Sequence, residues 1–228
     1  MVLLIALVVL AVAGLLFGPQ LWVRRVLARH GRARADLPGT GGELARHLLD
    51  REGLAAVKVE PTDLGDHYDP EARAVRLSPQ HHDGRSVAAV AVAAHEVSHA
   101  LQHARGERAF ARRHALVKNL GWIDRVATGL LVLAPIVFLV VKAPILLALQ
   151  IVAAFALMAF RIVVHVTTLP VELDASFAKA LPMIAQGRYL ATPDLPAARS
   201  VLRAAALTYV AAALATLLDV ARWVRVFR

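Results

Sequence analysis

The chain has 228 residues, 58% of them hydrophobic but only 6% aromatic, and it carries a formal net charge of +9. An apolar share this far above the soluble norm of about 45–50%, set in long aliphatic runs, points to lipid-facing helices beside one compact domain. Basic residues are interspersed with acids and form no tract with interleaved aromatics, which excludes nucleic acid as the expected partner; the lack of cysteine excludes disulfides, thiolate metal sites and a cysteine nucleophile.

Residues 1–17 are uncharged, and the apolar run continues toward Trp22 before Arg24 and Arg25. A signal peptide carries its positive charges ahead of the apolar stretch, whereas here they follow it. The expectation is a retained transmembrane helix over 1–23, with its N-terminus outside and Arg24, Arg25 and Arg29 inside.

Residues 24–120 form the polar portion. Leu44, Ala45, Leu48 and Leu49 recur at helical spacing between Gly41 and Gly53. Val57–Glu60 and Ala72–Leu77 read as short strands around the turn-rich Pro61–Pro70, which suggests a hairpin. His81 and His82 are expected at the surface. From Ser86, a plausible N-cap, a helical pattern runs to about Arg105. Its first half is almost wholly apolar, so the helix should be buried.

Gly121–Val141 and Ile145–Val164 read as a transmembrane hairpin over 121–164, turned by Lys142-Ala143-Pro144. His165 should be packed or interfacial. The segment 165–200 follows, then 201–228, whose apolar run Ala204–Leu218 gives a transmembrane or interfacial helix. The expected fold is mainly α, a helical membrane protein with about four transmembrane helices and one integrated domain.

His95-Glu96-Val97-Ser98-His99 lies on the predicted buried helix. Four residues advance a helix by about 6 Å and turn it about 40° beyond one revolution, so both imidazoles share a face and can converge on one ion. Zinc suits two imidazoles in a tetrahedral site, and Glu96 beside them can take a proton from zinc-bound water. The polar portion is therefore read as a small zincin-like α/β part. Burying two His and a Glu without a partner is costly, and a metal removes that cost.

A catalytic zinc needs a third protein ligand. His103 lies about 12 Å along the axis from His95, too far for a shared ion, and is read as a flanking or supporting residue. Glu172 and Asp174 are the only acids between Arg125 and Asp194, and the hairpin should return them to the side of His95. Acids at the edge of a span are usually functional. Either could bind the ion while the other orients a ligand His; Glu172 is favoured as ligand and Asp174 as its support. His67 and Tyr68 could contact an oxyanion or substrate, or simply build their turn.

The segments AAHEVSHALQHA, TTLPVELDAS and AALTYVAAALA, with DHYDP and VRLS, together resemble the YugP-like neutral zinc metallopeptidases, a bacterial membrane family. The resemblance runs through almost the whole chain in the same order. It implies one zinc ion at His95 and His99, catalysis by Glu96 and an acidic third ligand from the VELDAS stretch. The family's usual HEVGH is HEVSH here; Ser98 is small and faces away from the two His. The expected activity is peptide-bond hydrolysis at the cytoplasmic face of the bacterial membrane, on peptide or protein substrates that include membrane proteins, with the lipid bilayer as the other partner. Two rivals are a non-catalytic membrane scaffold with structural zinc and an intramembrane protease.

Overall fold

The structure is a computed structural model. It describes residues 2–208, apart from the side chains of 2–13, 15, 16, 158 and 161. The described residues fall into two compact units: Gln20–Ala111 with Leu169–Thr208, and residues 2–19 with Arg112–Thr168. Helix α1 (Val2–His30) opens the chain.

In the first of these units, helix α2 (Gly41–Arg51) begins at a capping box. The Thr40 hydroxyl accepts from the Glu43 amide, and the Glu43 carboxylate accepts from the Thr40 amide, which satisfies two amides that helix geometry leaves open. Gly53, at φ +72°, continues the chain where a side chain would be strained. Ala45, Leu48 and Leu49 are buried, as their spacing predicts. Each leucine contributes roughly 1.5–3 kcal/mol by leaving water.

Three strands follow: β1 (Lys58–Pro61), β2 (His67–Asp69) and β3 (Ala74–Leu77). β3 is central, parallel to β1 and antiparallel to β2. This corrects the expected hairpin, because the two predicted strands run in the same direction and the antiparallel partner of β3 lies within the turn-rich segment. A parallel pair needs a crossover of about a dozen residues, and residues 62–73 supply it with β2 inside. Asp69 closes the β2–β3 turn by accepting the amides of Glu71 and Ala72.

After the short helix α3 (Pro79–His82), helix α4 (Val87–Ala104) runs through the centre of this unit. The Ser86 hydroxyl caps it by accepting from the Ala89 amide. Every residue from Val87 to Gln102 is buried. The alanines at 88, 89, 91, 93, 94 and 100 let surrounding backbones approach closely, and α2, α3, β3, α7 (Leu181–Gln186), α8 (Leu195–Ala206) and a π-helical stretch at Asp174–Ala180 all pack on α4. Val75, Leu77, Val97, Ile184, Val201 and Leu202 complete the core.

The other unit is built mainly from helices α5 (Arg108–Val141) and α6 (Pro144–Leu173). They are joined through Lys142, at φ +50°, at the predicted turn. Ala127, Leu131 and Ala154 pack together, and the Gln150 amide donates to the Leu130 carbonyl at 2.8 Å. Leu139, Val140, Ile145, Leu149, Val152 and Val163 are exposed, so apolar surface faces outward. His165 is buried. Two helices among the described residues, Arg108–Val141 and Pro144–Gln186, are long and apolar enough to cross a membrane. The expectation of about four is corrected accordingly. The N-terminal stretch is helical as α1, but most of its early side chains lie outside the described residues, and most of the fourth candidate falls at 209–228, also outside them.

Candidate metal centre

The middle of α4 carries His95 and His99 one turn apart, with ring centroids 4.7 Å apart and planes at 79°. Glu172, near the end of α6, reaches both. Its Oε2 lies 3.1 Å from His95 Nε2 and 3.3 Å from His99 Nε2. All three side chains are buried, and their ligand atoms lie within 4.8 Å of one another. Glu96 is buried beside them on the same helix.

Neighbouring groups fix which ring nitrogen carries the proton. The Gln102 amide nitrogen faces two groups that act as acceptors, the Val171 carbonyl at 3.0 Å and the Asp174 carboxylate at 2.7 Å. Its amide oxygen is therefore the atom 2.9 Å from His99 Nδ1, so that nitrogen donates. The Ser176 hydroxyl likewise donates to the Leu202 carbonyl at 3.0 Å, and its oxygen accepts from His95 Nδ1 at 3.0 Å. Both imidazoles thus hold their proton on Nδ1 and turn an Nε2 lone pair toward the carboxylate. Three converging acceptors repel one another unless a proton or a metal cation joins them. Two imidazole nitrogens and one carboxylate are also a donor set that zinc accepts with a fourth position left open. The residues present therefore fit the metal.

The chain between Glu172 and Ser176 leaves regular α geometry. The π-helical Asp174–Ala180 ends with the Leu181 amide bonded to the Ser176 carbonyl, five residues back. Such widened turns are rare and are concentrated at functional sites. This one carries Ser176 to His95 while Asp174 reaches Gln102. Lys179 pairs with Asp174 and, at 3.1 Å, with Glu107, closing a polar chain that starts at His99.

The predicted residues divide accordingly. His95, His99 and Glu172 come together, and Asp174 stands behind them. Asp174 was expected to orient a histidine directly, but Gln102 is interposed. Ser176 and Gln102 were missed, although both lie a helical step from a candidate ligand, three residues after His99 and four after Glu172. The Ser98 hydroxyl donates back to the Ala94 carbonyl at 2.7 Å and stays off the cluster. His103 lies apart from the cluster, its Nδ1 2.9 Å from the Tyr68 hydroxyl and its ring stacked on Phe110. Burial pushes the Tyr68 phenol up, partly offset by Arg73. His67 Nδ1 lies 2.8 Å from the Gly65 carbonyl and ties down its own turn.

His81 corrects the expectation of a surface residue. It is 3% exposed, with Nδ1 2.7 Å from Asp66 Oδ2 and 3.2 Å from the Ser78 hydroxyl. The turn before β2 brings Asp66 onto it, and an alternating pattern in so short a segment could not show that. His82 remains half-buried beside Asp83. Burial opposes ionisation of Asp66. The hydrogen bond and charge of His81, with the Ser78 amide and hydroxyl, outweigh it and hold the carboxyl below the usual range.

Two buried histidines on a central helix facing a carboxylate from a second helix form a cluster that could hold a metal ion, a donor set that metallopeptidases use. The family described as "putative neutral zinc metallopeptidase" matches residues 3–228, and the chain belongs to that family. Among curated proteins it is similar to the "Putative membrane protease YugP" of Bacillus subtilis (strain 168), with 38% identity over 223 residues, 96% of this chain and 94% of the relative. No solved structure matches.

Proposed function

We propose that the chain is an integral membrane zinc peptidase whose ligands are His95, His99 and Glu172 and whose general base is Glu96. The observation that carries this reading is the convergence of two Nε2 atoms, each with its proton held on the opposite nitrogen, upon one buried carboxylate oxygen. A single zinc ion, when bound there, supplies Lewis acidity toward a peptide carbonyl and toward water.

The protein's own groups do the rest. Ser176 and Gln102 hold the imidazoles in the ligating tautomer and orientation. Glu96 removes a proton from the attacking water and delivers it to the leaving amine, so the products are a carboxylate and an amine. The buried surroundings of α4 exclude bulk water and strengthen each of these interactions. Both apolar helices lie in the lipid. Arg24, Arg25 and Arg29, which follow the apolar run within α1, and the lone Lys142 in the α5–α6 turn support the cytoplasmic face as the side of the centre.

The deciding experiment compares wild type with Glu96→Gln, purified in detergent and loaded with zinc. The variant should retain one equivalent of zinc and lose peptide hydrolysis by about 10²–10⁴-fold, the usual contribution of a general base. Equal turnover would reject the role of Glu96. Absence of turnover in both, with zinc bound, would favour the non-catalytic scaffold.

A further inference from the structure

Beside the C-terminal half of α4 lies a cavity of about 370 Å³. Its apolar wall includes Leu54, Val57 and Ala100, and three polar side chains converge on it: Tyr68, His103 and Arg73. The guanidinium is a donor only, and the Tyr68 hydroxyl and His103 Nδ1, 2.9 Å apart, share one proton and leave the neutral pair one further donor for an anion. The charges nearby do not cancel this. Among the described residues Arg73 has no acidic partner, and Glu52, near the opening, is engaged with Arg105 at 3.7 Å. The guanidinium's charge is felt at the Tyr68 hydroxyl, against a smaller opposing effect of Asp69, which is itself paired with Arg76 at 2.7 Å.

Arg73 also occupies an unusual backbone position. It sits at the end of the β2–β3 turn at φ +49°, where glycine or asparagine is the ordinary choice. Its amide plane serves the sheet, because its carbonyl accepts from the Lys58 amide at 3.0 Å, but that role needs no arginine. Lys142 and Arg188 share that backbone region, so the conformation by itself assigns Arg73 no role, and the case for it rests on the cavity that its side chain lines.

The cavity lies one helical turn from the metal centre, whose residues do not line it. His103 lies one turn beyond His99, about 6 Å along the helix axis, and an extended peptide covers about that distance in two residues. Buried Phe110 packs between the two, its ring centroid 6.0 Å from that of His99 and 5.6 Å from that of His103, so a bound peptide has to run over this ring.

We propose that this cavity is a specificity subsite that binds a carboxylate of the peptide substrate about two residues from the cleaved bond, through Arg73, Tyr68 and His103. The carboxylate is either the chain terminus or an acidic side chain. The inference deepens the peptidase reading and rests on it, but it is tested by binding rather than turnover, so the two can fail separately.

The test uses the full chain in detergent, loaded with zinc and carrying Glu96→Gln so that peptide persists. Three probes share one neutral hexapeptide sequence: a free C-terminal carboxylate, a C-terminal amide, and an amide with glutamate as the last residue. The expected result is at least about tenfold tighter binding of one or both carboxylate probes than of the neutral amide, a gap of about 1.4 kcal/mol. The tighter of the two identifies the source of the carboxylate. Arg73→Gly, which suits the positive φ and should leave the unfolding midpoint unchanged, should erase the gap; Arg73→Lys should keep part of it. Equal binding of all three probes, or a gap that survives Arg73→Gly, overturns the proposal. Should Arg73→Gly not fold, Arg73→Asn, which tolerates the same backbone region, takes its place. Wild-type cleavage of all three peptides at equal rates would leave the peptidase reading standing and this subsite refuted.

Discussion

Nδ1 of His99 lies 2.9 Å from Oε1 of Gln102, three residues further along the same helix. The Gln102 amide cannot turn over without facing its oxygen toward the Val171 carbonyl and the Asp174 carboxylate. One glutamine thus dictates the tautomer of one ligand. Gln102→Ala should weaken zinc binding by about 10–100-fold, the usual cost of losing such a partner. Competition against a chelator of known affinity reads this directly, and Gln102→Ala with wild-type affinity would remove Gln102 from the account.

The two acids of the VELDAS stretch should behave differently. Glu172→Ala removes an oxygen that both Nε2 atoms face, and zinc should fall well below one equivalent per chain. Asp174→Ala leaves that oxygen in place, so zinc should remain near one equivalent, with a weakened affinity transmitted through Gln102. Metal quantification on the two purified variants decides, and the reverse pattern would exchange their roles.

Acid should loosen the turn over His81. The Asp66 carboxyl is held below its ordinary value in the folded chain, so its ionised form favours folding. That contribution is complete above the unfolded value of about 3.9 and is lost as pH falls through the lower folded value. The unfolding midpoint should therefore decline below about pH 4, and Asp66→Asn should decline less steeply over the same window. Parallel curves for the two proteins would contradict this.

Sidedness can be read by labelling, because the natural chain has no cysteine and a single introduced thiol gives an unambiguous signal. Asp63→Cys, at an exposed position, should react with an impermeant maleimide only in inside-out vesicles. Lys142→Cys, in the exposed α5–α6 turn, should react only from the outside. Any other pattern would revise the membrane orientation.

Much of this centre is legible in the sequence because helix geometry is local. The i, i+4 spacing of His95 and His99 fixes a shared face whatever surrounds it, and the scarcity of acids near the second span narrows the third candidate to two. The alanine and valine pattern of α4 likewise announces a buried helix. The rest depends on long-range placement. The π-helical stretch has no signature in DASFAKA, so nothing local tells that Ser176 meets His95. The three-residue β2 is too short for alternation to register, which is why a parallel pair was read as a hairpin. His81 looks like one of two surface histidines until the chain around Asp66 folds onto it.

Glu172 follows His95 by 77 positions in the chain. Synthesis proceeds from the N-terminus, so α4 is complete long before the segment carrying Glu172 leaves the ribosome, and the whole of α5 and most of α6 must be made in between. A partly synthesised chain therefore holds a bare histidine pair and cannot close the cluster. If the enzyme cleaves peptides as proposed, its reactivity is withheld until both apolar helices have been made.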